Sequence, residues 1–257
     1  MSYWTNKEKM AERAVLHTQK MENKYQSEIQ ECINNTKCFT NEVSDYKNNK
    51  RLDNAIIIED TDTVSSIFNH YNEGRVAALN FASYKNAGGC FLGGSTAQEE
   101  CLCHASYLYN VLKECNSYYA YNNEHKNNAL YTNRALYTKN IRFFKNQKSV
   151  CCDIITCAAP NYYAAYKYRR MDKENNSTAL KQRIKFVLDI AEYNNVDTLI
   201  LGAFGCGVFR NDPNTTAQIF SKYLNGEFKN CFEKVIFAIP NGSNKYNYRV
   251  FSRYFSI

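Results

Sequence analysis

The sequence predicts an α/β fold led by a polar helical segment, and three observations carry that reading. Short apolar runs at residues 55–58, 76–79, 150–158, 196–201 and 234–239 alternate with stretches whose apolar residues recur at helical spacing. Two of those runs end in glycine-bearing loops, residues 80–98 and 202–212, each followed by a helix start. Open α/β sheets bind ligands at strand ends of this kind. Residues 7–34 are polar with loosely helical apolar spacing, which predicts one or two surface-packed helices.

Taken in order, residues 55–58 read as a strand bounded by acidic residues. Thr61 or Asp62 caps a helix carrying Val64, Ile67, Phe68 and Tyr71. The strand at 76–79 enters the first glycine loop, and residues 98–112 continue as one helix. Residues 116–147 show no clean period. From His125 to Val150 there are six Lys or Arg and no Asp or Glu, interleaved with Tyr131, Tyr137, Phe143 and Phe144. That segment reads either as a track for an anionic polymer or, more commonly, as a solvated loop with anchoring aromatics. Residues 150–158 form a buried strand and residues 162–176 a Tyr- and Lys-rich connection. Ser177 caps an amphipathic helix bearing Leu180, Ile184, Val187, Leu188 and Ala191. After the second glycine loop Asp212 suits an N-cap and Pro213 the first helical position. Helix 213–224, strand 234–239 and helix 244–254 close the chain, with no internal repeat.

A chain of 257 residues can bury a full core as one domain, with the leading helices as an extension. The expected division is an N-terminal helical extension over residues 1–50, packed on a catalytic domain over residues 51–257. The formal charge of +7 suits an acidic partner. No run of eighteen apolar residues occurs, so no membrane span is expected, and residues 1–10 lack the apolar core of a signal peptide. Eleven cysteines, an odd count with an adjacent pair at Cys151 and Cys152, read as reduced thiols of an intracellular protein. The placement expected is cytoplasmic, or nuclear if the source is eukaryotic. Cys101, Cys103 and His104 lie close in sequence, but helical positions two apart face different ways and no second Cys-x-x-Cys pair exists, so no metal site is expected.

The most informative stretch is residues 80–100, N-F-A-S-Y-K-N-A-G-G-C-F-L-G-G-S-T-A-Q-E-E. Four glycines in seven residues let a backbone approach a ligand closely. The helix start beyond them offers free N–H groups to an anion. Two adjacent carboxylates at such a place form a candidate acid/base site facing an anionic ligand. A first-turn Glu also complements the helix dipole without chemistry.

The order of these parts resembles the signature of the microbial-type poly(ADP-ribose) glycohydrolases, a branch of the macrodomain superfamily. Gly88-Gly89-Cys90 is followed by seven residues and then Gln98-Glu99-Glu100, where the family pattern has three glycines, six to eight variable residues and Gln-Glu-Glu. I-T-C-A-A-P-N at 155–161 resembles the family's strand ending in Ala-Pro-Asn, and L-G-A-F-G-C-G-V-F-R-N-D-P at 201–213 its second ligand loop. Residues 137–145 look like a worn third segment, and residues 12–24 fit the leading helix. The likeness is weak around residues 30–55, 115–135 and 162–180. Cys90 replaces the third glycine. Were that position left-handed, cysteine would cost about 1–2 kcal/mol relative to glycine. His104 stands where the family usually has arginine.

The resemblance implies a macrodomain-like three-layer α/β/α sandwich with a central mixed sheet and a glycosidase of poly(ADP-ribose). Such an enzyme would work from the polymer end, release ADP-ribose and use no cofactor. Glu100 would be the general acid, and Glu99 would bind ribose hydroxyls and set the environment of Glu100. Asn80 would hydrogen-bond ribose hydroxyls, with Gly88, Gly89, Cys90 and Gln98 around the distal ribose. Gly202, Ala203, Phe204, Gly205, Cys206, Gly207 and Val208 would cradle the diphosphate. Phe209 would lie beside the distal ribose and Asn161 at the rim. Partners would be poly(ADP-ribose) or ADP-ribosylated protein, with no membrane, no direct nucleic-acid binding, and a monomer as the working form. Removal of a single ADP-ribose by the same residues, and a binding module without catalysis, remain as alternatives.

Overall fold

In a computed structural model, residues 3–41, 43, 55–242 and 245–255 are described. The expected boundary between extension and catalytic domain, and Asn244 at the start of the last expected helix, lie outside them. The elements in chain order are α1 (Tyr3–Asn35), β1 (Lys37–Thr40), β2 (Ala55–Glu59), α2 (Thr63–His70), β3 (Val76–Phe81), α3 (Gln98–His104), α4 (Leu108–Leu112) and α5 (Asn116–Glu124). They continue with β4 (Arg134–Lys145), β5 (Lys148–Cys157), α6 (Tyr162–Arg169), α7 (Lys173–Tyr193), β6 (Thr198–Leu201), α8 (Pro213–Leu224), β7 (Lys234–Ala238) and α9 (Tyr246–Phe255).

One seven-stranded mixed sheet runs in the order β1-β4-β5-β3-β6-β7-β2. The five strands from β5 to β2 are parallel, and β4 runs antiparallel to both its neighbours. The period-2 alternation of each buried strand sends side chains into two separate cores. Ala77, Leu79, Ile155, Leu199, Leu201, Val235 and Phe237 pack under α7, α8 and α9. Ala78, Ile154, Ile200 and Ile236 pack on the other face beneath α1, α2, α3, α4 and α5. That is the three-layer sandwich the sequence implied. Among the described residues no helix is long and apolar enough to cross a membrane, and the eleven cysteines are unbridged.

Four expectations need correction, each for a tertiary reason. The single helix over residues 98–112 is two, because Ser106 pairs with Phe143 in a bridge and its carbonyl lies 2.7 Å from His17 Nε2. Residues 134–145, read as track or solvated loop, form β4. Its charges serve the fold: Arg142 pairs with Glu28 at 2.8 Å, and Arg134 lies 4.1 Å over the Tyr121 ring. Residues 162–169 are helical, with Asn161 as cap. Helix α7 begins at Asp172, which accepts the Asn175 N–H at 2.7 Å, so Ser177 lies inside it. Elsewhere the caps fall where expected, at Asp62 and at Asp212 with Pro213 in the first turn. Helix α1 is kinked at Tyr25 (φ −127°, ψ 27°), and its Ala14, Met21, Ile29 and Cys32 belong to the same core as α4.

Candidate functional site

Three neighbouring parallel strands, β5, β3 and β6, present their carboxyl ends along one edge of the sheet, and both glycine loops start there. Gln98 fixes the geometry of the first loop. Its Oε1 accepts the Phe81 N–H at 2.8 Å, while its Nε2 donates to the Leu79 carbonyl at 2.8 Å and the Thr63 hydroxyl at 3.1 Å. The amide is thereby occupied on both sides, stitching the start of α3 to the end of β3. Gln98 was expected among the substrate-binding residues; its side chain instead sets the position of the two glutamates that follow.

Those glutamates occupy the first turn of α3, and both are buried. Glu99 Oε2 accepts the Ser83 N–H at 2.6 Å, and Oε1 accepts from Asn80 Nδ2 at 3.3 Å. Glu100 turns away, as adjacent helical residues must, and its Oε1 accepts the Cys90 N–H at 2.9 Å. Gly89 closes over both. It has φ +62°, and a Cβ there would come within 2.6 Å of Glu100 Oε1 and 2.9 Å of Glu99 Oε2. Any larger residue would collide with the carboxylates and adopt a left-handed backbone as well.

Burial pushes the Glu99 carboxyl up to about 8, opposed by the Ser83 and Asn80 hydrogen bonds and reinforced by the charge of Glu100. The native state therefore keeps a proton that the unfolded chain releases. The resulting stabilisation is complete below the ordinary value of 4.5 and is lost as pH rises through about 8. Glu99→Gln mimics the protonated form. Urea unfolding across this range should show wild-type stability falling with pH and the variant falling less. Parallel curves for the two proteins would mean that the native state binds the Glu99 proton no more tightly than the unfolded chain does.

The concern over Cys90 is resolved by its backbone. Left-handed φ occurs at Gly88, Gly89 and Gly94 but not at Cys90, so the cysteine carries no such strain. Its thiol is exposed and leans toward Gly93. What the position supplies inward is its N–H, which any residue but proline has. His104, in place of the family's arginine, forms no ion pair among the described residues. It packs edge-on against Phe91 at 4.6 Å, with Nε2 buried and unpartnered, and burial holds its pKa below the ordinary value. Cys101 is exposed and Cys103 buried, so the two thiols point apart.

The second loop is built on a lattice of turns. Phe204 N–H reaches the Gly202 carbonyl at 2.8 Å, Cys206 that of Ala203 at 3.0 Å, and Arg210 that of Gly207 at 3.0 Å. Gly205 has φ +74°, and a Cβ there would strike Asn211 Nδ2 and Ala159. Asn211, which the sequence reading did not single out, ties the loop to the end of β5 through the Pro160 carbonyl at 2.8 Å. Not every expected residue faces outward. Phe204 is wholly buried against Phe81, with ring centroids 5.6 Å apart, and the Cys206 thiol turns inward to Thr216 at 3.4 Å. Gly202 packs against the Ala238 carbonyl and the Phe81 ring. The open part is Gly207, Val208 and Phe209. Val208 is 79% exposed, and the N–H groups of these three residues find no acceptor among the described residues.

Phe209 meets Tyr131 edge-on at 6.2 Å, and Tyr131 stacks on Tyr84 at 4.1 Å. Tyr131 and Ala129 adopt left-handed φ of 63° and 68°, a conformation disfavoured for side-chain-bearing residues. Arg183, 1% exposed, holds this turn by donating to the Leu130 and Ala158 carbonyls and to Asn133 Oδ1. Asn161 is likewise structural in its oxygen, which accepts the Ala164 N–H at 3.0 Å to cap α6. Asn80 is fully buried, and its Oδ1 has no partner, an unmet acceptor at the strand end.

The mixed sheet with both glycine loops at its strand ends is macrodomain-like, and the paired carboxylates under Gly89 suit acid/base work on a glycosidic bond. The comparisons narrow the class: residues 5–146 match the family model for the microbial-type PARG catalytic domain, and the chain belongs to that family, the microbial-type poly(ADP-ribose) glycohydrolases. The matched segment includes the first loop and both glutamates. The second loop lies beyond it, and the likeness to solved structures extends over a larger share of the chain. The poly(ADP-ribose) glycohydrolase from Deinococcus radiodurans in complex with ADP-ribose is 32% identical, at TM-score 0.81, over 89% of this chain and 97% of that one. The enzyme from Thermomonospora curvata is 24% identical, at TM-score 0.87, over 96% of this chain and 100% of that one. Its form bound to the inhibitor ADP-HPD gives 24% and 0.85 over 96% and 99%. At that identity the Thermomonospora likeness speaks for the fold alone. A search of the curated proteins found no match.

Proposed function

We propose that the chain hydrolyses the ribose–ribose O-glycosidic bonds of poly(ADP-ribose) from the polymer end, releasing ADP-ribose, with Glu100 as the general acid. The observation that carries this reading is the division of labour between the glutamates. Both oxygens of Glu99 hold the end of β3 and its loop, whereas Glu100 is anchored through one oxygen to the Cys90 N–H and keeps the other for proton transfer.

The free N–H groups of Gly207, Val208 and Phe209 receive the diphosphate, as successive backbone amides do in anion-binding nests. The distal ribose lies between Phe209 on one side and Asn80 with Glu99 on the other, where the unpartnered Asn80 Oδ1 accepts a ribose hydroxyl. Glu100 donates its proton to the bridging oxygen as the bond from the anomeric carbon breaks, and the electron pair leaves with that oxygen. The oxocarbenium-like centre is attacked by water, whose proton returns to Glu100. The net change is one water consumed, one free ADP-ribose formed and one new chain end.

The test is to incubate the purified protein with poly(ADP-ribose) and with mono-ADP-ribosylated protein and to identify the products. Free ADP-ribose from the polymer, without short oligomers at early times, is the expected result. Release from the mono-modified protein alone would transfer the same residues to mono-ADP-ribosyl hydrolysis. Tight ADP-ribose binding with neither activity would leave a binding module.

A further inference from the structure

Helix α6 leaves the end of β5 and lies against the second glycine loop, where the Tyr163 N–H donates to the Phe209 carbonyl at 3.1 Å. Its sequence is Y-Y-A-A-Y-K-Y-R, and Ala165 is its only buried residue. Tyr166 and Tyr168 are 64% and 61% exposed. The rings pair along the surface, Tyr162 with Tyr166 at 5.8 Å and Tyr163 with Tyr168 at 6.2 Å. Cations sit among them: Lys167 Nζ lies 5.2 Å from the Tyr163 centroid and 5.3 Å from that of Tyr168, and the Arg210 guanidinium lies 4.3 Å over Tyr163. Lys167, Arg169, Arg170 and Arg210 form no ion pair with a carboxylate among the described residues. None of the four tyrosines belongs to a hydrophobic core, and Lys167 and Arg210 both lie against the Tyr163 ring. Lys167 Nζ also donates to the Tyr163 hydroxyl at 2.9 Å, which fixes the cation beside the rings. Exposed π-faces beside cations that have no carboxylate partner suit a chain of bases and phosphates.

We propose that the exposed face of α6 holds the next ADP-ribose unit of the polymer, its adenine stacked on Tyr168 and its diphosphate on Lys167 and Arg210. This rests on the function proposed above. In that reading the bond broken lies beside Phe209, and the oxygen that leaves belongs to the adenosine ribose of the neighbouring unit. That unit carries one base and two phosphates, and α6, tied to the Phe209 carbonyl through the Tyr163 N–H, is an exposed aromatic and basic element beside Phe209. The platform acts on the leaving chain and touches neither Glu100 nor the diphosphate loop's open N–H groups.

The experiment compares wild type with Tyr168→Ala and with Lys167→Glu on two substrates, long poly(ADP-ribose) and ADP-ribose bearing a small aryl leaving group, alongside calorimetry with ADP-ribose. The expected result for Tyr168→Ala is a KM for the polymer raised about tenfold, the scale of one lost base stack. Its kcat, aryl-substrate kinetics and ADP-ribose affinity should be unchanged. Tyr168→Phe should restore the KM, since stacking does not need the hydroxyl. An unchanged polymer KM, or equal losses on both substrates, overturns the inference while leaving the proposed function intact. An adenylate oligomer that binds through this face, with polymer KM unchanged in the variant, overturns it in favour of RNA. A wild type that neither binds ADP-ribose nor cleaves either substrate overturns the function proposed above, and this inference with it.

Discussion

Glu100→Gln is expected to lower ADP-ribose release from poly(ADP-ribose) by about 10³-fold, within the range for loss of a positioned general acid. ADP-ribose affinity should stay within about tenfold of wild type, because only the transition state uses the missing proton. The substitution preserves the local structure. The amide oxygen of the new side chain accepts the Cys90 N–H that Glu100 Oε1 now accepts at 2.9 Å, and the volume beneath Gly89 is unchanged. The loss should therefore fall on kcat, with the melting temperature nearly constant. Single-turnover release of ADP-ribose, followed chromatographically, measures the chemical step directly. Near-normal turnover would remove Glu100 from the proton path and leave Glu99, whose raised carboxyl is the alternative acid.

What the sequence revealed of this site was its chain course. The strand ends, the glycine turns and the capping residues Asp62, Asp212 and Pro213 are local signals, and local signals survive folding. Side-chain direction was not legible in the same way. Gln98 stood inside the motif beside the glutamates, yet nothing local says that its amide is consumed by Phe81, Leu79 and Thr63. Phe204 and Val208 belong to one short loop, and only the packed structure separates the buried ring from the exposed side chain. The strain expected at Cys90 depended on a φ angle that three consecutive small residues do not specify. The turn falls on Gly88 and Gly89 instead.

The missed elements fail for related reasons. Strand β4 was unreadable because its register shifts between Thr138 and Ile141. That places four consecutive buried residues before a polar pair and destroys the alternation on which strand reading rests. Strand β1 is an edge strand with three exposed residues out of four, held by pairing with β4 rather than by any pattern of its own. The break between α3 and α4 is set by His17 and Phe143, residues 89 and 37 positions from Ser106. Arg183 carried no signal in the sequence, since an arginine in an amphipathic helix normally faces water. Its burial reflects the three oxygens, from Leu130, Asn133 and Ala158, that converge on it. Each of these is a long-range contact, and several of them shape the walls of the site.

Gly207→Val is expected to weaken ADP-ribose binding by about a hundredfold or more, the scale of losing one or two charge-assisted hydrogen bonds. The fold should be untouched. The two glycines of this loop separate ligand effects from structural ones. At Gly205 a Cβ would meet Asn211 and Ala159 inside the protein, and the backbone is left-handed. Gly205→Val therefore damages the loop before any ligand arrives, and its effect on binding is uninformative. At Gly207 a Cβ meets nothing within 4 Å, so the protein accommodates valine there, and its bulk stands on the exposed loop that is to receive the diphosphate. The free variant should unfold at nearly the wild-type temperature, while calorimetry with ADP-ribose shows the loss. Ribose alone, which lacks the diphosphate, should bind both proteins equally weakly. An unchanged ADP-ribose affinity would take this loop out of the diphosphate site and move the anion to another strand end. A large drop in melting temperature would instead mean that the open space at Gly207 is needed by the protein itself.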